Sequence, residues 1–397
     1  MSKTNSKTSK RRQRTRVGLV FSYNEEWIAG AYYILNIIHA LKLLPQHQQP
    51  HVVLISDTKE NFDRVVQDTG YPFLEYFQYP FAPVKYFIIE RLINKISLAV
   101  SNTKLIKKKP KKPVIDFLYP RQKGALGNER LKKINWIPDF QEEFLPQYFS
   151  EEEIKNRKEF QRKVICAGDA VVLSSKDALG HFETLYPKAQ LDKIVLPFAV
   201  SIEHFEDVNL NALKEKYDLP DHYFFAPNQF WAHKNHKVIL EALFQLKNQN
   251  REVVVAFSGN ENDYRNRDYV AQLKDYVKEY ALEKYCRFLG FIDRKDQLCL
   301  MRNAIAMVQP STFEGWSTVV EDAKALNQFI VLSKIPVHLE QIDQNVRFFD
   351  PNNPAELAEI LAQFEMQPPK VVAIDYQKDK MKFAENFSAM VEKYTIK

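Results

Sequence analysis

Three carboxylates and four hydroxyls crowd one short stretch of this chain, Gln309 to Ala325 (QPSTFEGWSTVVEDAKA): Glu314, Glu321 and Asp322, with Ser317 and Thr318 among them and Ser311 and Thr312 before them. An apolar run, Ala304 to Val308, precedes them and reads as a buried strand. Pro310-Ser311-Thr312 breaks that run, and Gly315 opens a helix on which Val319, Val320, Ala323 and Leu326 recur at helical spacing. The free amides and positive dipole end of such a helix form a site for an anion such as a phosphate, to which Ser317 and Thr318 add hydroxyl donors. With the core direction set by Val319, Val320 and Ala323, a step of about 100° per residue turns Glu321 nearly opposite the core and Asp322 to its flank. Glu314 then stands at the helix mouth. Acidic residues are favoured by the dipole in the first turn of any helix, so the stretch alone fits a structural role as well as a functional one.

The elements that must position these residues can be read from apolar runs. In the second half Tyr223 to Ala226, Val253 to Ser258, Cys286 to Leu289, Ala304 to Val308, Phe329 to Leu332 and Arg347 to Phe349 read as strands, most of them separated by helical patterns. Such alternation implies a parallel sheet covered on both faces. In the first half Val17 to Tyr23, His51 to Asp57, Ala170 to Ser174 and Ile194 to Pro197 read as strands, and a helix carrying Ile34, Ile37, Ile38 and Leu41 comes after the first. Residues 58–135 show no clear period. The pattern predicts an α/β protein with two doubly wound, Rossmann-like domains facing across a cleft, residues 17–198 and residues 199–375. Residues 376–397, with Met381 to Tyr394 helical, would pack back on the first domain.

Only ten glycines are present, so their places carry information. Gly259 and Gly290 each come after a strand of the second half, at the rim of the presumed site. Gly30 and Ala31 lie after the first strand, where small residues let a ligand approach the backbone. A G-x-G-x-x-G dinucleotide fingerprint is absent.

With these residues in place, residues 223 to about 362 resemble the retaining glycosyltransferases of family 4, which have the GT-B fold; the motifs are FAPNQFWAHKNHKVILEAL, VVVAFSG, RFLGFIDRKDQL and VQPSTFEGWSTVVEDAKALNQFIVLS. In the first half FSYNEEWIAGAYYIL, WIPDFQ and VVLSSKDAL are similar to a bacterial polysaccharide-synthesis branch of that family. The resemblance implies transfer of a sugar from a nucleotide diphosphate sugar to an acceptor hydroxyl with retention, without metal or other cofactor. It implies catalytic roles for Glu314, which would hold the sugar hydroxyls, and Lys234, which would neutralise the departing phosphate. Donor contacts would come from Gly30, Ala31, Asn228, Gln229, Gly259, Gly315, Trp316, Ser317, Thr318, Glu321 and Asp322. The family's second glutamate falls on Asp322, with Glu321 just before it; spacing favours Asp322 as the ribose partner and side-chain length favours Glu321. Gln229 stands where the family has an arginine, so a phosphate charge partner is missing; His233 and His236, which flank Lys234, would either compensate for it or be satisfied surface histidines. Pro138 stands before Asp139 where many relatives have a histidine.

Composition bounds the rest. Over 397 residues, 45% apolar and 27% charged content are those of a globular protein. No apolar run nears the ~18 residues of a spanning helix. The first sixteen residues hold seven Lys or Arg and no acid; since the whole chain carries +6, the remainder carries −1. Residues 1–16 therefore read as a disordered basic tail that can meet anionic lipid. Lys104 to Lys112 (KLIKKKPKK) is a second basic cluster, a loop suited to an anionic or membrane-embedded acceptor, and no aromatic residues interleave it as nucleic acid would require. Three scattered cysteines without a C-x-x-C pair point to buried thiols in a reducing compartment. The expectation is a cytoplasmic enzyme, peripheral at the inner face of a membrane, acting on a glycan or lipid-linked acceptor. The alternatives are an inactive nucleotide-sugar-binding partner subunit, or a phosphorylase or epimerase of the same fold.

Overall fold

The computed structural model describes residues 14–23, 28–81, 87–109, 111–121, 126, 130–263 and 265–395. Most of the basic tail and the residues around Glu25 lie outside them. The chain forms two compact units: one runs to Asn135 and regains the chain at Ala384, the other spans Trp136–Phe383.

In the first unit β1 (Arg16–Val20), β2 (His51–Ser56), β3 (Leu74–Gln78) and β4 (Phe117–Tyr119) form a parallel sheet in the order β3-β2-β1-β4. Val17, Leu19 and Val52 to Leu54 are fully buried, as strands covered on both faces require. The end of the last helix, Tyr376–Tyr394, belongs here: Phe387 is buried against the rings of Phe117 and Tyr119, a burial of about 1.5–3 kcal/mol.

The second unit opens with β5 (Ile134–Ile137), β6 (Ala170–Leu173) and β7 (Asp192–Val195), a three-stranded sheet. Its main sheet holds β8 (Phe224–Pro227), β9 (Val255–Ser258), β10 (Cys286–Phe288), β11 (Met307–Gln309), β12 (Ile330–Ser333) and β13 (Val346–Phe349), all parallel, in the order β10-β9-β8-β11-β12-β13. Alternate residues feed opposite cores: Phe224, Ala226, Phe257 and Val308 one face, Phe225, Ala256, Met307 and Ile330 the other.

The sequence sets the domain boundary near Phe198, whereas the compact units part between Asn135 and Trp136. Residues 136–198 are tied to the main sheet of the second unit: the Trp316 indole donates to the Phe198 carbonyl at 2.9 Å, and Glu340 accepts the Lys176 and Asp177 amides at the start of the helix Lys176–Leu185. Residues 58–135, without a clear period, contain β3, β4, the first half of β5 and the helices Lys59–Thr69 and Ile88–Ser101. β4 has three residues and β3 is half-exposed, so neither leaves a legible pattern. Of the cysteines, Cys286 and Cys299 are buried and Cys166 is exposed.

Candidate functional site

The strand order of the second unit reverses between β8 and β11, because β9 and β10 lie to one side and β12 and β13 to the other. In open α/β sheets a switch point of this kind, beside the carboxyl ends of the strands, is where ligands bind. The residues after β8, β9 and β11 surround it. A Cβ on Gly259, whose φ is +153°, would lie 2.1 Å from the Asn228 carbonyl oxygen, so the exits of β9 and β8 touch only because this residue is glycine.

A short turn, Ala232–Lys234, presents Lys234. The turn is held to the segment after β11 by the Thr312 amide, which donates to the His233 carbonyl at 2.9 Å, and by Asn235, whose side-chain amide reaches the Pro310 and Pro351 carbonyls. Lys234 Nζ donates to Glu314 Oε1 at 2.5 Å, and Gln309 Nε2 donates to the same oxygen at 2.9 Å. Both charged side chains are largely buried, at 15% and 9% exposure. Burial alone raises the Glu314 carboxyl, but the Lys234 ammonium, with hydrogen bonds from Lys234 and Ser311, holds it below the ordinary glutamate range. His338 lies near enough to act on Glu314, but burial lowers its own pKa to about 4, so at neutral pH it is uncharged and Lys234 is the cation that matters. His338 Nδ1 sits 3.1 Å from the Ser333 hydroxyl, and its Nε2 is buried with no hydrogen-bond partner among the described residues.

Gly315 comes directly after Glu314 and backs onto β5's exit: a Cβ there would lie 2.3 Å from the Pro138 carbonyl oxygen and 3.0 Å from Asp139 Cβ. Asp139 is thereby brought beside Glu314. Burial raises its carboxyl, and the negative Glu314 adds to that, against the lowering by the Gln141 amide and by Arg157 and Arg265. Arg265 is buried, with its guanidinium 4.6 Å from the Trp231 ring centre and 3.2 Å from Gln141 Oε1. It brings a second cation to the Lys234 turn, where Gln229 supplies none. Sequence reasoning named Asp139 without giving it a role and missed Arg265 and His338. Arg265 left no periodic signal, and the buried character of His338 shows only in the S-x-x-P-x-H spacing after β12, with proline opening the helix Pro336–Gln341.

The helix after Gly315 is Thr318–Leu326, three residues later than expected, because Gly315 and Trp316 are held out of helical geometry by their contacts with Pro138 and Phe198. Ser317 makes no side-chain cap, which leaves the amides of Thr318, Val319 and Val320 without an acceptor in the helix. The Ser317 backbone is bonded on both sides by Gln341. Helical spacing directs Glu321 and Asp322 away from the core without saying what lies beyond; both are buried, at 1% and 2% exposure. Glu321 accepts from Tyr376 Oη at 2.5 Å, Gln341 at 3.0 Å and Lys324 at 3.2 Å. Asp322 pairs with Arg294 at 2.6 Å. The outer face of this helix is covered by polar partners rather than water, which helical periodicity does not reveal.

For His233 and His236 the surface alternative is corrected, since both are buried; burial first, then Lys234, lowers both, His236 to about 3. His236 stacks on Phe230 at 4.4 Å. Asn228, at the end of β8, is buried with both side-chain polar atoms unpartnered among the described residues, and Gln229 beside it is half-buried. Gly30 and Ala31 lie in the other unit, in the first turn of the helix Ile28–Leu43. Among the described residues no His, Cys, Asp and Glu side chains form a metal-binding group, and no helix is long and apolar enough to cross a membrane.

Two doubly wound, parallel α/β halves with the 3-2-1-4-5-6 order in the second define the GT-B fold. Residues 210–381 match the family described as Glycosyl transferases group 1. A curated relative, the O-antigen chain mannosyltransferase RfbU of Salmonella typhimurium, is 24% identical over 152 residues, 38% of this chain and 40% of that protein's length. Among solved structures the chain is similar to Anabaena Alr3699/HepE in complex with UDP and glucose, with a TM-score of 0.60, 15% identity and 96% of each chain covered. It is also similar to a glycosyltransferase from Rickettsia africae, with a TM-score of 0.58, 15% identity and coverage of 97% of this chain and 94% of that one.

Proposed function

We propose that the protein is a retaining glycosyltransferase that moves a hexosyl or deoxyhexosyl group from a nucleotide diphosphate sugar to an acceptor hydroxyl, in assembly of a cell-surface polysaccharide or glycolipid. The observation that carries the reading is the buried Lys234–Glu314 pair at 2.5 Å, set at the switch point beside an uncapped helix N-terminus. Breaking the bond from the sugar C1 to the diphosphate sends the electron pair to a phosphate oxygen. Lys234, with the free amides of Thr318, Val319 and Val320, is placed to stabilise charge that develops there in the transition state. Glu314, ionised at neutral pH, accepts hydrogen bonds from sugar hydroxyls, and the unpartnered Asn228 amide bonds the donor, while the glycines at 259 and 315 let the surrounding strand exits close on one another. The acceptor oxygen bonds to C1 on the face the phosphate leaves, and its proton passes to the departing phosphate oxygen. No metal or other cofactor enters this scheme. Gly30, Ala31, Gln229, Trp316, Ser317 and Thr318 are assigned to the donor. Asp322, whose Oδ1 pairs with Arg294, is assigned to the ribose by its spacing in preference to Glu321, both of whose oxygens are taken by Tyr376, Gln341 and Lys324.

The similarity to proteins described with UDP, UDP-glucose and mannosyl transfer supports a nucleotide-sugar donor. The acceptor is a glycan or lipid-linked saccharide, and the site of action the cytoplasmic face of a membrane. The test is a thermal-shift panel of UDP, GDP, dTDP and ADP and their sugars, since a ligand of the folded state raises stability by mass action, and then turnover with the donor that shifts. A selective shift with turnover, lost in Glu314→Gln, is the expected result. A shift without turnover turns the reading to a nucleotide-sugar-binding partner subunit, and a flat panel on folded protein removes the donor site.

A further inference from the structure

The helix Ile88–Ser101 in the first unit is amphipathic, and it is oriented the opposite way from a surface helix of a soluble domain. Its polar side is occupied: Asn94 Nδ2 donates to the Ile106 carbonyl at 3.0 Å and the Ile106 amide to Asn94 Oδ1 at 2.8 Å, Ser97 Oγ donates to the Thr103 carbonyl at 2.7 Å, and Lys108 pairs with Glu90 at 2.5 Å. The segment after the helix therefore folds back and covers that side. Its apolar side is bare. Ile88, Ile89, Leu92, Ile96 and Val100 fall within about 120° of one another at 100° per residue, and they are between 59% and 85% exposed.

A row of this kind is a liability in water unless something covers it. Charge identifies the occupant. The segment pinned to the polar side carries Lys104, Lys107, Lys109, Lys111 and Lys112 besides the paired Lys108, with no acid from Thr103 to Lys112. Arg91 and Lys95 lie at the border of the apolar stripe on the helix itself. An apolar stripe flanked by Arg91 and Lys95 and backed by the lysine segment fits the boundary between acyl chains and anionic headgroups, with the stripe inserted, the flanking cations at phosphate level and the segment adding to the attraction. A protein partner with an apolar groove would not call for an acid-free border of this length.

We propose that the helix Ile88–Ser101 and the lysine segment pinned to it form the surface that docks this protein on an anionic lipid bilayer, lying in the interface without crossing it. The proposal rests on the membrane-face site of action in the proposed function and gives that contact a place; it is independent of the donor chemistry. It also separates two basic elements: the first sixteen residues supply charge only, whereas this surface supplies charge and apolar insertion together.

The test is flotation of the full chain with phosphatidylcholine vesicles, with and without one quarter phosphatidylglycerol. Binding is expected to the mixed vesicles and to be weak with phosphatidylcholine alone. Leu92→Asp combined with Ile96→Asp is expected to lower partitioning at least about tenfold, since two inserted side chains are lost. Replacing Lys104, Lys107, Lys109 and Lys111 by Gln should lower it and flatten its salt dependence. All replaced residues are exposed, so the melting temperature of each variant should match the parent. Unchanged flotation of the Leu92/Ile96 variant assigns binding to the N-terminal tail and overturns the proposal. Concentration-dependent dimerisation that this variant abolishes, without vesicle binding by the parent, overturns it in favour of a contact between copies. A flat nucleotide panel alongside intact flotation would remove the donor reading and leave this surface standing.

Discussion

Replacing Lys234 with methionine keeps most of the aliphatic volume and removes the cation that holds Glu314 ionised. At 2.5 Å and an effective dielectric near 20, the attraction within the pair is about 6–7 kcal/mol. Much of that offsets the desolvation of two buried charges. What the substitution leaves is a buried carboxylate with hydrogen bonds from Gln309 and Ser311 but no counter-charge, so the expected loss of stability at pH 7 is about 3–5 kcal/mol. The pH dependence gives the reasoning its test. In the parent, Glu314 titrates below its unfolded value; its stabilising contribution is present above that value and is lost as pH falls through the lowered pKa. In the variant, burial without Lys234 puts the folded pKa above the unfolded one, so the penalty is present at neutral pH and relaxes as Glu314 takes up a proton. The gap between parent and variant should therefore be widest near pH 7 and narrow toward about pH 4. Urea melts across that range measure it. Turnover at pH 7, on protein kept below its unfolding transition, should fall about a hundredfold to a thousandfold if the ammonium acts on charge developing in the transition state. A stability gap that stays constant with pH refutes the electrostatic account of the pair, and unchanged turnover refutes the assignment of Lys234 to the leaving group.

Gly315→Ala forces a Cβ to within 2.3 Å of the Pro138 carbonyl oxygen, so the strand exits must separate; a loss of about 1–3 kcal/mol, read by thermal melting, should come with weaker donor binding, because the same shift moves Glu314. Tyr376→Phe removes the hydroxyl that bonds Glu321 and accepts the Val200 amide; it should cost about 1–3 kcal/mol in urea melts with kcat nearly unchanged, since neither partner touches Lys234. Asp139→Asn should stabilise the protein at neutral pH: the folded carboxyl titrates above its unfolded value, so its charged form is the disfavoured one, and the advantage should vanish as pH falls below the unfolded value near about 4.

Much of the second unit was legible because its strands are short apolar runs bounded by glycine and polar turns. All six strands of the main sheet fall within a few residues of their predicted places. Glu314 was legible for the same reason, standing between a strand and an amphipathic helix. The helix start was displaced because its boundary is set by two contacts from far along the chain, the Pro138 carbonyl against Gly315 and the Phe198 carbonyl accepting the Trp316 indole. No local signal encodes either. Residues 58–135 were illegible in the main for another reason: the helix Ile88–Ser101 turns its apolar side outward, so its pattern is not that of a helix packed on a sheet.

Glu321 marks the reach of helical periodicity. Val320 and Ala323 face the core as the spacing requires, and Glu321 does project away from them. What the period cannot convey is that a second layer lies there. Tyr376 arrives 55 residues later in sequence, and Gln341 and Lys324 complete a set of donors around one carboxylate. A buried carboxylate with three hydrogen-bond donors is stable in that place, whereas one with none would not be. The cluster around Lys234 obeys the same rule with a different result. Asn228 and His338 Nε2 are as buried as Glu321, yet they lack partners among the described residues. Polar groups left unsatisfied in a fold that satisfies its neighbours are where a polar ligand would complete the structure, and this contrast supports the proposed donor position on the Lys234 side of the helix Thr318–Leu326 rather than the Glu321 side.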